Sequence, residues 1–313
     1  MSNMESSVLK VSKLSHRYSK DWAIRDISFE HNQKGVLGLV GSNGAGKSTT
    51  MNIMCGVLNQ TEGEVFINGV NLRENPVEAK KHIGFLPQKP PLHFDLTIDE
   101  YLTHCAHLRL VDKKNIKSAV AAAKDKCGLD HFSKRVIRNL SGGFQQRVGI
   151  AQSILHDPKF VVMDEPTNGL DPNQILEIRG LINTIAEERL VIFSTHILSE
   201  VENTCDHIKM IESGNLVFDG TMNDFNHYIE PNTLQVNLMA PPVIDDIKSL
   251  AGVIDVEALS KNDFKIKFDT NNDISEKIVQ HSVNNGWRLK EINLDKVSLE
   301  TIFAKLSKYK QYN

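Results

Sequence analysis

Gly41-Ser42-Asn43-Gly44-Ala45-Gly46-Lys47-Ser48 constrains this chain more than any other stretch. It fits G-x-x-x-x-G-K-[ST], the phosphate-binding P-loop. A triphosphate crowds several anionic oxygens together. Cradling it takes backbone N–H groups that come close, and Gly permits this because no Cβ stands in the way. Lys47 supplies a cation for the β- and γ-phosphates, and the Ser48 hydroxyl is placed to reach Mg2+. Val36-Leu37-Gly38-Leu39-Val40 ahead of the loop reads as a buried strand. Thr49 to Val57 behind it carries Met51, Ile53, Met54 and Val57, as a half-buried helix would. Such a helix points the positive end of its dipole at the phosphates. A chance match in a Gly-containing turn lacks those two flanks.

Composition narrows the class. The chain has 313 residues, 40% hydrophobic and 24% charged, which suits one large domain and a smaller one. A net charge of −3 argues against a general nucleic-acid binder, so no nucleic-acid partner is expected. No apolar run reaches the roughly 18 residues of a membrane helix. Met1 to Ser7 is polar and acidic, unlike a secretion signal. Cys55, Cys105, Cys127 and Cys205 are far apart and read as reduced thiols. The expectation is a protein that is soluble when alone.

Further along, Val8 to Leu14 and Ile24 to Phe29 are short strands of an antiparallel layer. Glu64 to Ile67 with Asn68-Gly69 predicts a strand and tight turn, and Ile83 to Leu86 another strand. Ile98 to about Cys127 is mostly helical, with Leu102, Cys105, Ala106 and Arg109 at helical spacing. Phe160 to Met163 and Leu190 to Phe193 are continuous apolar runs, as in parallel strands buried on both faces. Between them, Ile175 to Glu188 is a helix. This alternation indicates a parallel α/β sheet with ligands at the carboxyl ends of its strands. Beyond Glu230-Pro231-Asn232 the order becomes β-α-β-β-α-β, a ferredoxin-like arrangement. Its elements are Thr233 to Leu238, Ile244 to Leu250, Val253 to Ala258, Phe264 to Phe268, Ile274 to Val283 and Trp287 to Leu294. A last helix carries Leu299, Ile302, Phe303 and Leu306.

Val161-Val162-Met163-Asp164-Glu165 matches the second half of a P-loop ATPase site, with Asp164 for Mg2+ and Glu165 as general base for the attacking water. Taken alone, it is equally a strand ending in a solvated acidic turn. Leu140-Ser141-Gly142-Gly143-Phe144-Gln145-Gln146-Arg147 lies between the two motifs and resembles the signature sequence of ATP-binding cassette (ABC) ATPases. There Ser141, Gly142 and Gly143 start a helix and offer a hydroxyl and bare N–H groups to phosphate. Phe144 stands where many family members have Gln or Tyr, and its side chain is expected to point off the phosphate.

The resemblance covers about residues 8–225 and implies further roles. Gln88 resembles the Q-loop glutamine, which senses Mg2+ or water. Asp171, in Gly169-Leu170-Asp171, resembles the D-loop, and is also a helix N-cap in its own right. His196 resembles the switch histidine at the γ-phosphate. Tyr18 resembles the aromatic that stacks on adenine, with Trp22 close enough in sequence to compete. The nucleotide set is thus Tyr18, Gly41 to Thr49, Ser141, Gly142, Gly143 and Asp171. Ser48, Gln88 and Asp164 are the Mg2+ set, and Glu165, His196 and Gln88 the catalytic set.

The implied fold is a P-loop NTPase α/β core with an antiparallel layer and a helical signature subdomain. It spans residues 1–229, the subdomain covering about 90–158, with an α+β accessory domain over 230–313. The implied function is the ATP-hydrolysing subunit of a transporter, working as a head-to-tail dimer on a separate polytopic permease at the cytoplasmic face of the inner membrane. Asn168-Gly169-Leu170-Asp171-Pro172 and Ser298 to Phe303 are similar to the ABC-2-type exporter branch. The apolar Pro90, Pro91, Leu92 and Phe94 suit either a docking surface or packing inside the helical subdomain. The other functional class is a soluble ABC-type ATPase that switches a non-transport partner.

Overall fold

The computed structural model describes residues 7–195, 197–229, 231–269, 274–295 and 298–308. The chain divides into two compact units, Met1–Met222 with Leu306–Asn313, and Asn223–Lys305.

The first unit opens with β1 (Leu9–Tyr18) and β2 (Asp21–His31), paired antiparallel. Both run longer than their sequence pattern suggests. Lys13 takes φ +47° at an irregularity in the pairing, so the buried face passes from Leu9 and Val11 to Leu14 and the alternation breaks. Next come β3 (Gly35–Val40), α1 (Lys47–Met54), β4 (Glu62–Ile67) and β5 (Val70–Asn71). Asn68 and Gly69 both have positive φ, +49° and +78°, as a two-residue hairpin turn of the primed type requires. Helix α1 stops at Met54, so Val57 is outside it and exposed.

Helix α2 (Pro76–Lys81) and strand β6 (Ile83–Leu86) lead to the helical region: α3 (Ile98–Leu108), α4 (Ile116–Lys126) and α5 (Gly142–Ile154). Thr97 and Glu100 form a capping box at the start of α3. The stretch expected to be mostly helical is two helices, broken where Leu110 takes φ +58°. Arg109 is therefore a C-cap, and its guanidinium donates to the Ile83 carbonyl at 3.4 Å.

The chain then alternates: β7 (Phe160–Asp164), α6 (Pro172–Ala186), β8 (Leu190–Ser194), α7 (Leu198–Thr204), β9 (His207–Glu212), β10 (Asn215–Thr221) and α8 (Met222–Asn226). One sheet has the order β2-β1-β4-β5, and the other β10-β9-β3-β8-β7-β6. Strands β9, β3, β8, β7 and β6 are parallel, and β7 and β8 both lie inside the sheet and are buried on both faces. Leu9, Leu14 and Ile27 of the antiparallel layer share a core with Met51 and Ile53 of α1 and with Leu37, Phe160 and Ile192 of the parallel sheet. Each such side chain contributes about 1.5–3 kcal/mol by burial. That core fixes the strand ends from which the motif loops emerge.

The second unit contains β11 (Thr233–Leu238), α9 (Ile244–Lys248), β12 (Val253–Ala258), β13 (Asp263–Phe268), α10 (Ile274–Asn284) and β14 (Leu289–Leu294). Its sheet order is β12-β13-β11-β14, antiparallel throughout, which is the ferredoxin-like topology. Trp287 precedes the last strand, because Arg288 turns through φ +56°, and its ring is buried in the core with Phe264 and Ile278. Helix α11 (Leu299–Lys308) buries Leu299, Ile302 and Leu306 at helical spacing.

A candidate nucleotide-binding site

The P-loop leaves β3 under tight contact with its neighbours. A Cβ on Gly41 would lie 2.0 Å from the Ile211 carbonyl of β9, and one on Gly46 2.4 Å from Ile24 of β2. Gly46 also holds φ +109°, in the left-handed region, where it caps α1. No side chain caps that helix and no acid stands in its first turn, so its N–H groups and dipole face the loop. Lys47 is 7% exposed, and its Nζ donates to the carbonyls of Gly41 at 2.8 Å and Ser42 at 3.0 Å. Burial lowers its pKa, and the carboxylates of Glu165, Asp164 and Glu212 pull it back up. Glu212, at the end of β9, accepts from Ser42 Oγ at 2.7 Å and from Ser42 N–H at 3.3 Å, which anchors the loop from behind.

The acidic side is built at the ends of β7 and β8. Ser194 Oγ donates to Asp164 at 2.6 Å and accepts from the Glu165 N–H at 3.0 Å. Glu165 holds φ +46°, a left-handed conformation that costs a non-Gly residue on the order of 1 kcal/mol and recurs at functional sites. Its Oε2 accepts from Gln88 Nε2 at 2.7 Å and from Asn168 Nδ2 at 3.1 Å. Gln88 follows β6, so neighbouring parallel strands deliver the base and its partner to one place.

Tyr18, Asn43, Gly44, Gly46, Lys47, Ser48, Thr49, Gln88 and Glu165, with Ala23, line one cleft of about 420 Å³. Of the two competing aromatics, Tyr18 lines it and Trp22 does not. The Trp22 ring is covered by Arg17 and Arg25, 5.6 and 5.7 Å away. Tyr18 is 53% exposed and rests edge-on against His16, with ring centroids 4.7 Å apart. A hollow of about 450 Å³ beside Gly35 and Asp206, at the amino end of β3, carries none of the motif residues.

Ser141, Gly142, Gly143 and Asp171 do not line this cleft. They lie together elsewhere. Gly142 faces Leu170, and a Cβ on Gly143 would meet the Gln174 amide at 2.8 Å. Asp171 caps α6, accepting from the N–H groups of Asn173 and Gln174 at 3.0 Å. Ser141 is the N-cap of α5 without a side-chain capping bond, and is exposed. Phe144 packs on Phe132, with centroids 4.5 Å apart, and is engaged within the helical region. His196 lies outside the described residues. Of the apolar loop, Phe94 is exposed, while Pro90 approaches Gly149 of α5 and the Pro91 carbonyl accepts from Tyr101. Sequence reasoning missed Ser194, Asn168 and Glu212. Only Glu212 left a signal, as the polar end of His207-Ile208-Lys209-Met210-Ile211 before the Ser213-Gly214 turn.

Comparison with known proteins agrees with this geometry. Residues 24–168 match the family described as ABC transporter. The chain is 36% identical over 214 residues to the bacitracin transport ATP-binding protein BcrA of Bacillus licheniformis, covering 68% of this chain and 69% of that protein. It is 30% identical over 314 residues to the linearmycin resistance ATP-binding protein LnrL of Bacillus subtilis (strain 168), covering 96% and 98%. Among solved structures, cbiO1 from Clostridium perfringens, part of the ABC transporter complex cbiONQ, superposes with TM-score 0.64 at 27% identity, over 69% of this chain and 89% of that one.

Proposed function

This chain belongs to the ABC transporter family as an ATP-binding, ATP-hydrolysing subunit, and we propose that two copies close head to tail around two ATP molecules. The observation that carries the proposal is the separation of the two phosphate-binding motifs. The P-loop cleft gathers Tyr18, Lys47, Gln88 and Glu165, while Ser141, Gly142 and Gly143 lie with the Asp171 turn and line no part of it. An exposed helix start with bare N–H groups suits an anion. A second copy brings that helix start to the γ-phosphate and completes the site.

Within one cleft, Tyr18 stacks on the base, the Gly41 to Thr49 backbone and Lys47 hold the phosphates, and Glu165 takes the proton of the attacking water. Lys47 already donates to two carbonyls, and a bound phosphate takes over those donors. The residues fit Mg2+. Ser48, Asp164 and Gln88 would hold it through hard oxygen donors, and because Gln88 Nε2 donates to Glu165, its amide oxygen would be the ligand. Held by these residues, the ion would supply positive charge to the triphosphate. His196 follows β8 in the chain and is assigned to the γ-phosphate.

Hydrolysis removes the γ-phosphate that joins the copies, and the opening drives a separate membrane permease at the cytoplasmic face. No described helix is long and apolar enough to cross a membrane, and the names of the relatives support export. Co-purification of a polytopic membrane protein with the full chain tests the permease. An ATPase that purifies from membranes with none supports the soluble-switch alternative.

A further inference from the structure

Glu200, the third residue of α7, is 3% exposed and touches no part of the nucleotide cleft. Its Oε2 accepts two hydroxyl bonds, from Thr167 Oγ1 at 2.9 Å and from Thr195 Oγ1 at 2.8 Å. Both threonines are themselves buried. Thr167 lies two residues after Glu165, in the turn whose Asn168 side chain holds that base. Thr195 directly precedes His196 in the chain, and its Oγ1 also accepts from Ile197 N–H at 3.1 Å. The other Glu200 oxygen, Oε1, has no hydrogen-bond partner among the described residues.

A buried carboxylate satisfied at only one oxygen is expensive, and a well-packed apolar side chain would serve stability better. What Glu200 supplies instead is a common acceptor for two loops, which Ser194 also joins by accepting from the Glu165 N–H. We propose that Glu200 is a positioning residue that ties the Glu165 loop to the His196 segment, so that base and switch histidine reach the γ-phosphate as a unit. This rests on the roles proposed above for Glu165 and His196. Glu200 makes no contact with the nucleotide. Its effect therefore falls on turnover and leaves nucleotide affinity alone.

The test measures phosphate release, the KM for ATP and the melting temperature on the purified full chain. The variants are Thr167→Val, Thr195→Val, their double variant, Glu200→Ala and Glu200→Gln. Each Thr→Val removes one bond and is expected to lower kcat about tenfold with KM within about twofold. The double variant and Glu200→Ala are expected to fall no further, because one lost bond already releases the tie. Glu200→Gln keeps a carbonyl oxygen that accepts both hydroxyls and is expected to retain at least about half of kcat. Threonine losses that multiply to about a hundredfold overturn the tie. So do losses that track the melting temperature, an unchanged Glu200→Ala, and a Glu200→Gln as slow as Glu200→Ala. If Glu200→Ala does not fold, the threonine pair and Glu200→Gln decide alone. Glu165→Gln, run alongside, reports separately on the base: wild-type hydrolysis there removes the base, whereas an inactive Glu165→Gln beside a normal Glu200→Ala removes only the tie.

Discussion

Glu165→Gln separates the chemistry of the site from its geometry. Gln88 and Asn168 both donate to Oε2 of Glu165, at 2.7 and 3.1 Å. An amide oxygen accepts the same two bonds, so both of these contacts survive while charge and basicity are lost. A positioned general base contributes about 10²–10⁴-fold to a rate, or roughly 2.7–5.4 kcal/mol of barrier. The expected drop in single-turnover hydrolysis falls in that range. Affinity is expected to hold or tighten. The carboxylate helps keep Lys47 protonated, but it also faces the incoming triphosphate, and its removal relieves that repulsion. The assay is phosphate release from preformed complex, with nucleotide binding measured separately. Turnover within about threefold of wild type, a barrier change under about 0.7 kcal/mol, refutes Glu165 as the base.

Lys47→Ala removes the charge-assisted donor and is expected to weaken binding of a fluorescent ATP analogue about 100-fold or more, and affinity within threefold of wild type contradicts its role. Gly41→Ala drives a Cβ into the Ile211 carbonyl, 2.0 Å away, and is expected to lower both stability and nucleotide binding, by about 2–4 kcal/mol in denaturant unfolding. His31 and His156 are held near pKa 4 chiefly by burial, against an ordinary 6.5. Between those values the unfolded chain binds protons that the folded chain refuses. Stability therefore falls as pH drops from about 6.5 to about 4 and levels off below. His31 contributes on the order of 1–2 kcal/mol after solvent screening. Urea midpoints across that window check this, and an unchanged slope in a His31→Asn variant contradicts it.

The sequence announced the site where chemistry restricts residue choice. The P-loop spacing, the apolar run ending at Asp164-Glu165 and the Ser141-Gly142-Gly143 turn each have few other readings, and neighbouring parallel strands then bring Lys47, Gln88 and Glu165 to one cleft. Tertiary packing decided the rest. Strand β9 adjoins the P-loop strand and carries the Glu212 anchor, yet beyond its polar end nothing in His207–Glu212 places it beside that strand. Ser194 and Asn168 are polar side chains after strand ends, and nothing local says which carboxylate they bond. The choice between Tyr18 and Trp22 turned on two arginines brought over the indole by the β1–β2 pairing. The break at Leu110 and the irregularity at Lys13 are positive-φ residues without glycine, which propensity does not foretell. In the accessory unit the order of elements was readable from periodicity, whereas Trp287, expected to begin the last strand, enters the core from the turn ahead of it.

The central claim is that one chain holds two half-sites that only a second copy completes. Asn43 and Gly142 are both exposed, one in the P-loop cleft and one at the start of α5. Cysteines placed at these two positions in the Glu165→Gln background offer a direct measurement, by oxidative cross-linking with and without Mg-ATP. The account predicts a product of twice the 35.1 kDa chain mass that forms with ATP and not with ADP. A cross-link within a single chain, or ATP binding without any product of doubled mass, would contradict it.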